Sequence, residues 1–140
     1  ERLISEPKCL SRPLYGFENT EHTINNEGPY AFYYHNKIYL AYSGGDARGY
    51  LYAIGMLTAN DGDDLCDLSV WEKAKTPIAS FATIPGEYGP GHNSFFWDRD
   101  QNLWIAYHAV TSFEEKIVSS GMRRVYFEQD KTPRFDVIVE

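Results

Sequence analysis

The strand pattern of this chain runs through once and then starts again, and that repetition limits the possible folds more than any other feature. Aromatic-rich residues 30–34 lead through a His35-Asn36-Lys37 turn into residues 38–42, a strand apolar on both faces. Such a strand suits a sheet covered on both sides. Residues 50–58 make a third strand after the Gly44-Gly45-Asp46 loop, residues 60–67 an acidic loop, and residues 71–78 a fourth strand. The second round begins with a strand at 93–97, turns at 98–102 and returns over 103–110. It adds strands at 123–128 and 135–139 around an Asp130-Lys131-Thr132-Pro133 turn. Alternating aromatic and β-branched runs bounded by turn residues are strand signals, and no stretch sustains the periodicity of a helix. Two consecutive four-stranded units of roughly 50 residues match the repeat of a propeller blade. The expected fold is all-β: two β-propeller blades, with residues 1–26 closing a preceding one. A small sandwich of the same period is the alternative, because a propeller ring takes about four blades or more.

The 140 residues suit one domain. The formal charge of −7 argues against a nucleic-acid partner, and Arg123-Arg124 is too short to form a basic patch. No apolar run approaches the roughly 20 residues of a membrane helix, so no membrane partner is expected. The chain starts at Glu1 without a methionine, which leaves secreted, periplasmic and cytoplasmic bacterial locations all open. Cys9 and Cys66 have no zinc-ligand spacing. Free, buried thiols are the expectation, with a disulfide as the alternative in a secreted protein.

Two strings carry the candidate chemistry: Asn25-Asn26-Glu27-Gly28-Pro29-Tyr30 and Tyr88-Gly89-Pro90-Gly91-His92-Asn93-Ser94-Phe95. Each sets a titratable side chain in a glycine-proline turn entering a strand. Glycine permits a tight turn or a close approach, and proline fixes the backbone direction. A carboxyl group at such a strand mouth suits a general acid, and a histidine there suits orientation of that acid or of an ion. Taken singly, each string also reads as an ordinary turn. Together with Trp71-Glu72 and Trp104-Ile105-Ala106-Tyr107-His108-Ala109 they are far more specific. The loop residues Asp46, Asp61, Asp63 and Asp64 read as solvated turns, so no partner base is evident, and Asn60-Asp61-Gly62-Asp63-Asp64 lacks EF-hand spacing.

On these strings, and on Leu10-Ser11-Arg12-Pro13, Lys37-Ile38-Tyr39-Leu40-Ala41-Tyr42-Ser43, Gly55-Met56-Leu57-Thr58-Ala59 and Trp71-Glu72-Lys73, the sequence resembles glycoside hydrolase family 43 from about Leu10 to Phe135. The resemblance implies a five-bladed propeller of which residues 1–140 are the C-terminal part. It implies hydrolysis of arabinose- or xylose-containing oligo- or polysaccharides with inversion. An α-L-arabinofuranosidase is the first expectation and a β-xylosidase the second. A non-catalytic carbohydrate-binding or structural propeller piece is the alternative of another class. The family acid matches Glu27, while the base and acid-tuning aspartates belong to earlier blades, so the expected partner is the N-terminal part of the same propeller or another chain. His92 matches the family histidine near the axis, which positions substrate or helps hold a metal through water. Arg123 and Arg124 lie near the family's sugar-binding arginine. No cofactor is expected to be required, although the resemblance admits a structural calcium near the axis.

Overall fold

The computed structural model describes residues 5–112, 114 and 117–137. A 3-10 turn at Gly16–Glu18 precedes a short hairpin, β1 (Asn19–Thr20) and β2 (Thr23–Ile24). The first large sheet follows as an antiparallel meander of β3 (Asn26–Tyr34), β4 (Lys37–Gly44), β5 (Ala53–Asn60) and β6 (Glu72–Lys73). The second is β7 (Tyr88–Trp97), β8 (Leu103–Ser112) and β9 (Ile117–Arg124), with a separate pair, β10 (Tyr126–Phe127) and β11 (Pro133–Arg134).

Local chemistry explains the hairpins. His35 and Asn36 connect β3 to β4 with φ of 46° and 64°. Two left-handed residues in a two-residue loop match the twist of the flanking strands. Between β7 and β8 the Asp98 carboxylate accepts from the amides of Asp100 and Asn102 at 2.9 and 2.8 Å and from the Trp104 indole at 2.8 Å.

Alternation along the strands then decides the core. Phe32, Tyr39, Ala41, Ile54 and Met56 of the first sheet meet Phe95, Leu103, Ile105, Tyr107 and Ala109 of the second, and Phe135 is buried with them. Phe32 is the hinge of this layer, stacked on Tyr39 at 4.8 Å and against Phe95 at 4.6 Å. The opposite face of the second sheet carries Phe96 opposite Trp104, Met122 opposite Ala106 and Val118 opposite Val110. Phe96, Met122 and Val118 remain 42, 60 and 59 % exposed there.

Several expectations need correction. The third strand of the second unit lies at Ile117–Arg124 rather than 123–128. Its small, polar Ser119-Ser120-Gly121 centre reads as a loop, yet it pairs in register with Tyr107, His108 and Ala109. The fourth strand shrinks to Pro133–Arg134, and Phe135 becomes a core plug; residues 138 and 139 lie outside the described residues. The second sheet is therefore three-stranded among the described residues, with β10 and β11 beside it. In the first sheet β5 starts at Ala53, after a loop that runs through Tyr50. Its fourth strand is only Glu72–Lys73. Beyond it the pairing continues as single bonds, Ala74 N–H to Met56 O at 2.9 Å and Ile78 N–H to Ile54 O at 2.8 Å. Pro77 has no N–H to donate and interrupts the ladder. Cys9 and Cys66 are free, but both are exposed rather than buried.

Candidate active site

The two strings meet. Glu27 is the second residue of β3 and pairs with Ser43 of β4, and the register slips immediately afterwards, between Glu27 and Tyr30. Gly28, in the slip, has φ of 56°. In β7 the register slips twice, between Tyr88 and Gly91 and between Gly91 and Ser94. His92 sits within that irregularity with φ of 53°, a left-handed conformation costly for a residue with a Cβ. Bulges of this kind re-aim side chains at strand ends.

His92 is held there across the sheets. Its amide donates to the Ser43 hydroxyl at 2.7 Å, and its ring lies against Gly28, where an added Cβ would come within 3.4 Å of Nδ1. The side chain is exposed rather than enclosed. The His108 ring, on β8, is parallel to it at 6.3 Å. Burial pushes the His108 imidazole below its usual range, with the Ala47 backbone opposing, the His92 charge adding to the lowering, and the Glu27 carboxylate opposing. His108 is thus neutral near pH 7, and its Nε2 is buried without a hydrogen-bond partner.

Glu27 is half-buried. Its Oε1 accepts from the Tyr52 hydroxyl at 2.8 Å. Tyr52 has no exposed surface and stacks on His108 at 5.6 Å. Burial raises its phenol well above the usual range; contact with Ser43 opposes this and the Glu27 carboxylate adds to it, so the proton stays on tyrosine. A cleft of about 260 Å³ opens beside the strand mouth, lined by Asn26, Glu27, Pro29, Tyr42, Ser11 and Lys8 among others.

The arginines take separate places. Arg123 donates to the Tyr107 hydroxyl at 2.8 Å and to Glu87 at 2.8 Å, while Tyr107 donates to the same carboxylate at 2.6 Å. This triangle ties β8 and β9 to the loop before β7. Arg124 is exposed and lies over the Tyr126 ring at 5.1 Å. The two pair opposite Ile105 and Trp104, whereas His108 is opposite Ser120, roughly 10–13 Å farther along β9 at strand spacing. The structure thus gathers Glu27 and His92 and sets both arginines down-strand. Tyr52, Ser43 and Glu87 escape sequence reasoning. Glu87 alone carries a signal, an acidic residue just before the Gly-Pro-Gly turn.

Among the described residues no three His, Cys, Asp or Glu side chains gather to hold an ion. These residues do not by themselves fit a metal centre. No described helix is long and apolar enough to cross a membrane.

Comparison with known proteins bears on the family and the fold. An extracellular exo-alpha-(1->5)-L-arabinofuranosidase of Streptomyces avermitilis is 30% identical over 141 residues, covering 95% of this chain and 29% of the relative. Its counterpart from Streptomyces chartreusis is 38% identical over 101 residues, covering 71% and 30%. The chain thus spans about three-tenths of the length of these relatives. The crystal structure of an alpha-L-arabinofuranosidase from Lactobacillus brevis superposes with a TM-score of 0.83 at 29% identity, covering 95% of this chain and 43% of that one. The fold is all-β, and the two sheets are consecutive blades of a propeller. The profile of glycosyl hydrolases family 43 matches residues 3–133, and the chain belongs to that family.

Proposed function

We propose that the protein acts as an inverting α-L-arabinofuranosidase on arabinose-containing oligo- or polysaccharides, with Glu27 as the general acid. The observation that carries this reading is the held carboxyl group of Glu27, whose Oε1 is engaged by a buried tyrosine at a bulged strand mouth beside a cleft. Among the described residues no hydrogen bond reaches Oε2, which leaves it to deliver a proton. The names of the relatives support arabinose as the sugar.

Inverting hydrolysis pairs such an acid with a carboxylate base about 6.5–9.5 Å away, leaving room for the attacking water. Glu27 protonates the departing glycosidic oxygen as the bond to the anomeric carbon breaks, while the base takes a proton from water on the opposite face. The base comes from a partner portion of the propeller. His92, fixed against Gly28 in the same mouth, positions the sugar.

A sugar alkoxide leaves badly without a proton, whereas a nitrophenolate is stable as an anion. Glu27→Gln in the full-length protein should therefore lower kcat/KM on arabino-oligosaccharides by about 10²–10⁴-fold, the usual contribution of a general acid. Activity on nitrophenyl arabinoside should be largely spared. Steady-state kinetics on both substrates is the test; equal losses would assign Glu27 another role.

A further inference from the structure

A buried donor reaches Glu27 beside the second string. The His92 backbone N–H donates to Ser43 Oγ at 2.7 Å, and Ser43, the β4 partner of Glu27, is fully buried. The Tyr52 hydroxyl donates to Glu27 Oε1 at 2.8 Å. A hydroxyl has a single proton, and Tyr52 commits it to Glu27 Oε1. The Gly-Pro-Gly turn makes room for this tyrosine: a Cβ on Gly91 would fall 2.0 Å from the Tyr52 ring. His108 closes the other side of that ring.

We propose that the buried Tyr52 hydroxyl fixes Glu27 Oε1 as an acceptor and so makes Oε2 the oxygen that carries the catalytic proton. Tyr52 is a positioning residue in this scheme, because it acts only through Glu27. The proposal rests on the reading of Glu27 as the acid. A carboxyl group with two equivalent oxygens holds its proton on the wrong one part of the time, and a fixed acceptor removes that loss. A donor to a carboxylate favours its ionised form.

The test is carried out in the full-length protein. Tyr52→Phe removes the donor and keeps the ring. It should move the alkaline limb of the kcat profile on arabino-oligosaccharides upward by about one pH unit, the size expected for one bond to a charged group. At the pH optimum kcat should fall roughly 10-fold with KM nearly unchanged, and nitrophenyl arabinoside should be little affected. Placing 3-fluorotyrosine at position 52 strengthens the donor with almost no change of shape, and it should move the same limb downward. This second replacement keeps the question answerable if Tyr52→Phe folds poorly. An unmoved limb in both proteins overturns the role of Tyr52 while leaving Glu27 as the acid. If Glu27→Gln itself shows no preference for the activated substrate, the acid assignment fails and the role of Tyr52 falls with it.

Discussion

At the scale of single residues, Glu18 holds a carboxylate with no exposed surface where the N-terminal segment meets the first sheet. Its Oε2 accepts from the amides of Leu14 and Tyr15 at 2.7 and 2.8 Å, and its Oε1 accepts from the Tyr42 hydroxyl at 2.8 Å and pairs with Lys73. Burial alone would raise this carboxyl group, but Lys73, Tyr15, Tyr42 and Leu14 together outweigh it and hold it below the usual carboxylate range. The folded value lies below the unfolded one. The stabilisation is therefore complete above the ordinary range and is lost as pH falls through the lowered value. Removing one partner of a buried pair strands the other. Lys73→Met should cost roughly 3–5 kcal/mol at pH 7 by urea denaturation, and the cost should shrink below about pH 4 as Glu18 takes up a proton. A cost independent of pH would separate Lys73 from Glu18. Nothing in Tyr15-Gly16-Phe17-Glu18 announces this role, since its partners on β4 and β6 are remote in sequence. Glu27 and His92 were legible because glycine and proline mark their turns locally. Tyr52 was not, because its position depends on a glycine of the other sheet.

At the scale of elements, the tight hairpins were readable and the outer strands were not. The β3–β4 and β7–β8 turns are written in adjacent residues. The strands β6, β9 and β11 have their pairing decided by what lies across the sheet, so propensity misplaced their ends. The β7–β8 turn also has its own pH dependence. Donation first from the Trp104 indole, then from the Asn102 side chain and amide, lowers the Asp98 carboxyl to about 2. Its stabilisation is present above the ordinary aspartate range near 4 and fades as pH falls toward 2. Asp98→Ala should lower Tm at pH 7 in a calorimetric scan, and the difference from the unmodified protein should close near pH 2. An unchanged Tm at pH 7 would mean that the turn forms without its carboxylate.

At the scale of the whole molecule, the repeat of the strand pattern was the legible part, because each unit carries its own hydrophobic alternation. The small-sandwich alternative fails, since the sheets superpose on a family propeller. What the repeat could not convey is the state of the faces turned away from the shared core. On the second sheet that face presents Phe96, Met122 and Val118 beside the edge strand β9. Exposed apolar side chains on a sheet whose edge, among the described residues, is β9 make protein–protein attraction outweigh hydration. In colloidal terms, a solution of this chain should have a negative second virial coefficient that becomes more negative with ammonium sulfate, which strengthens apolar association. Val118→Lys with Met122→Glu should bring the coefficient to zero or above in static light scattering without altering the far-ultraviolet spectrum. If the doubly substituted chain attracts itself as strongly, the stickiness resides elsewhere on the molecule.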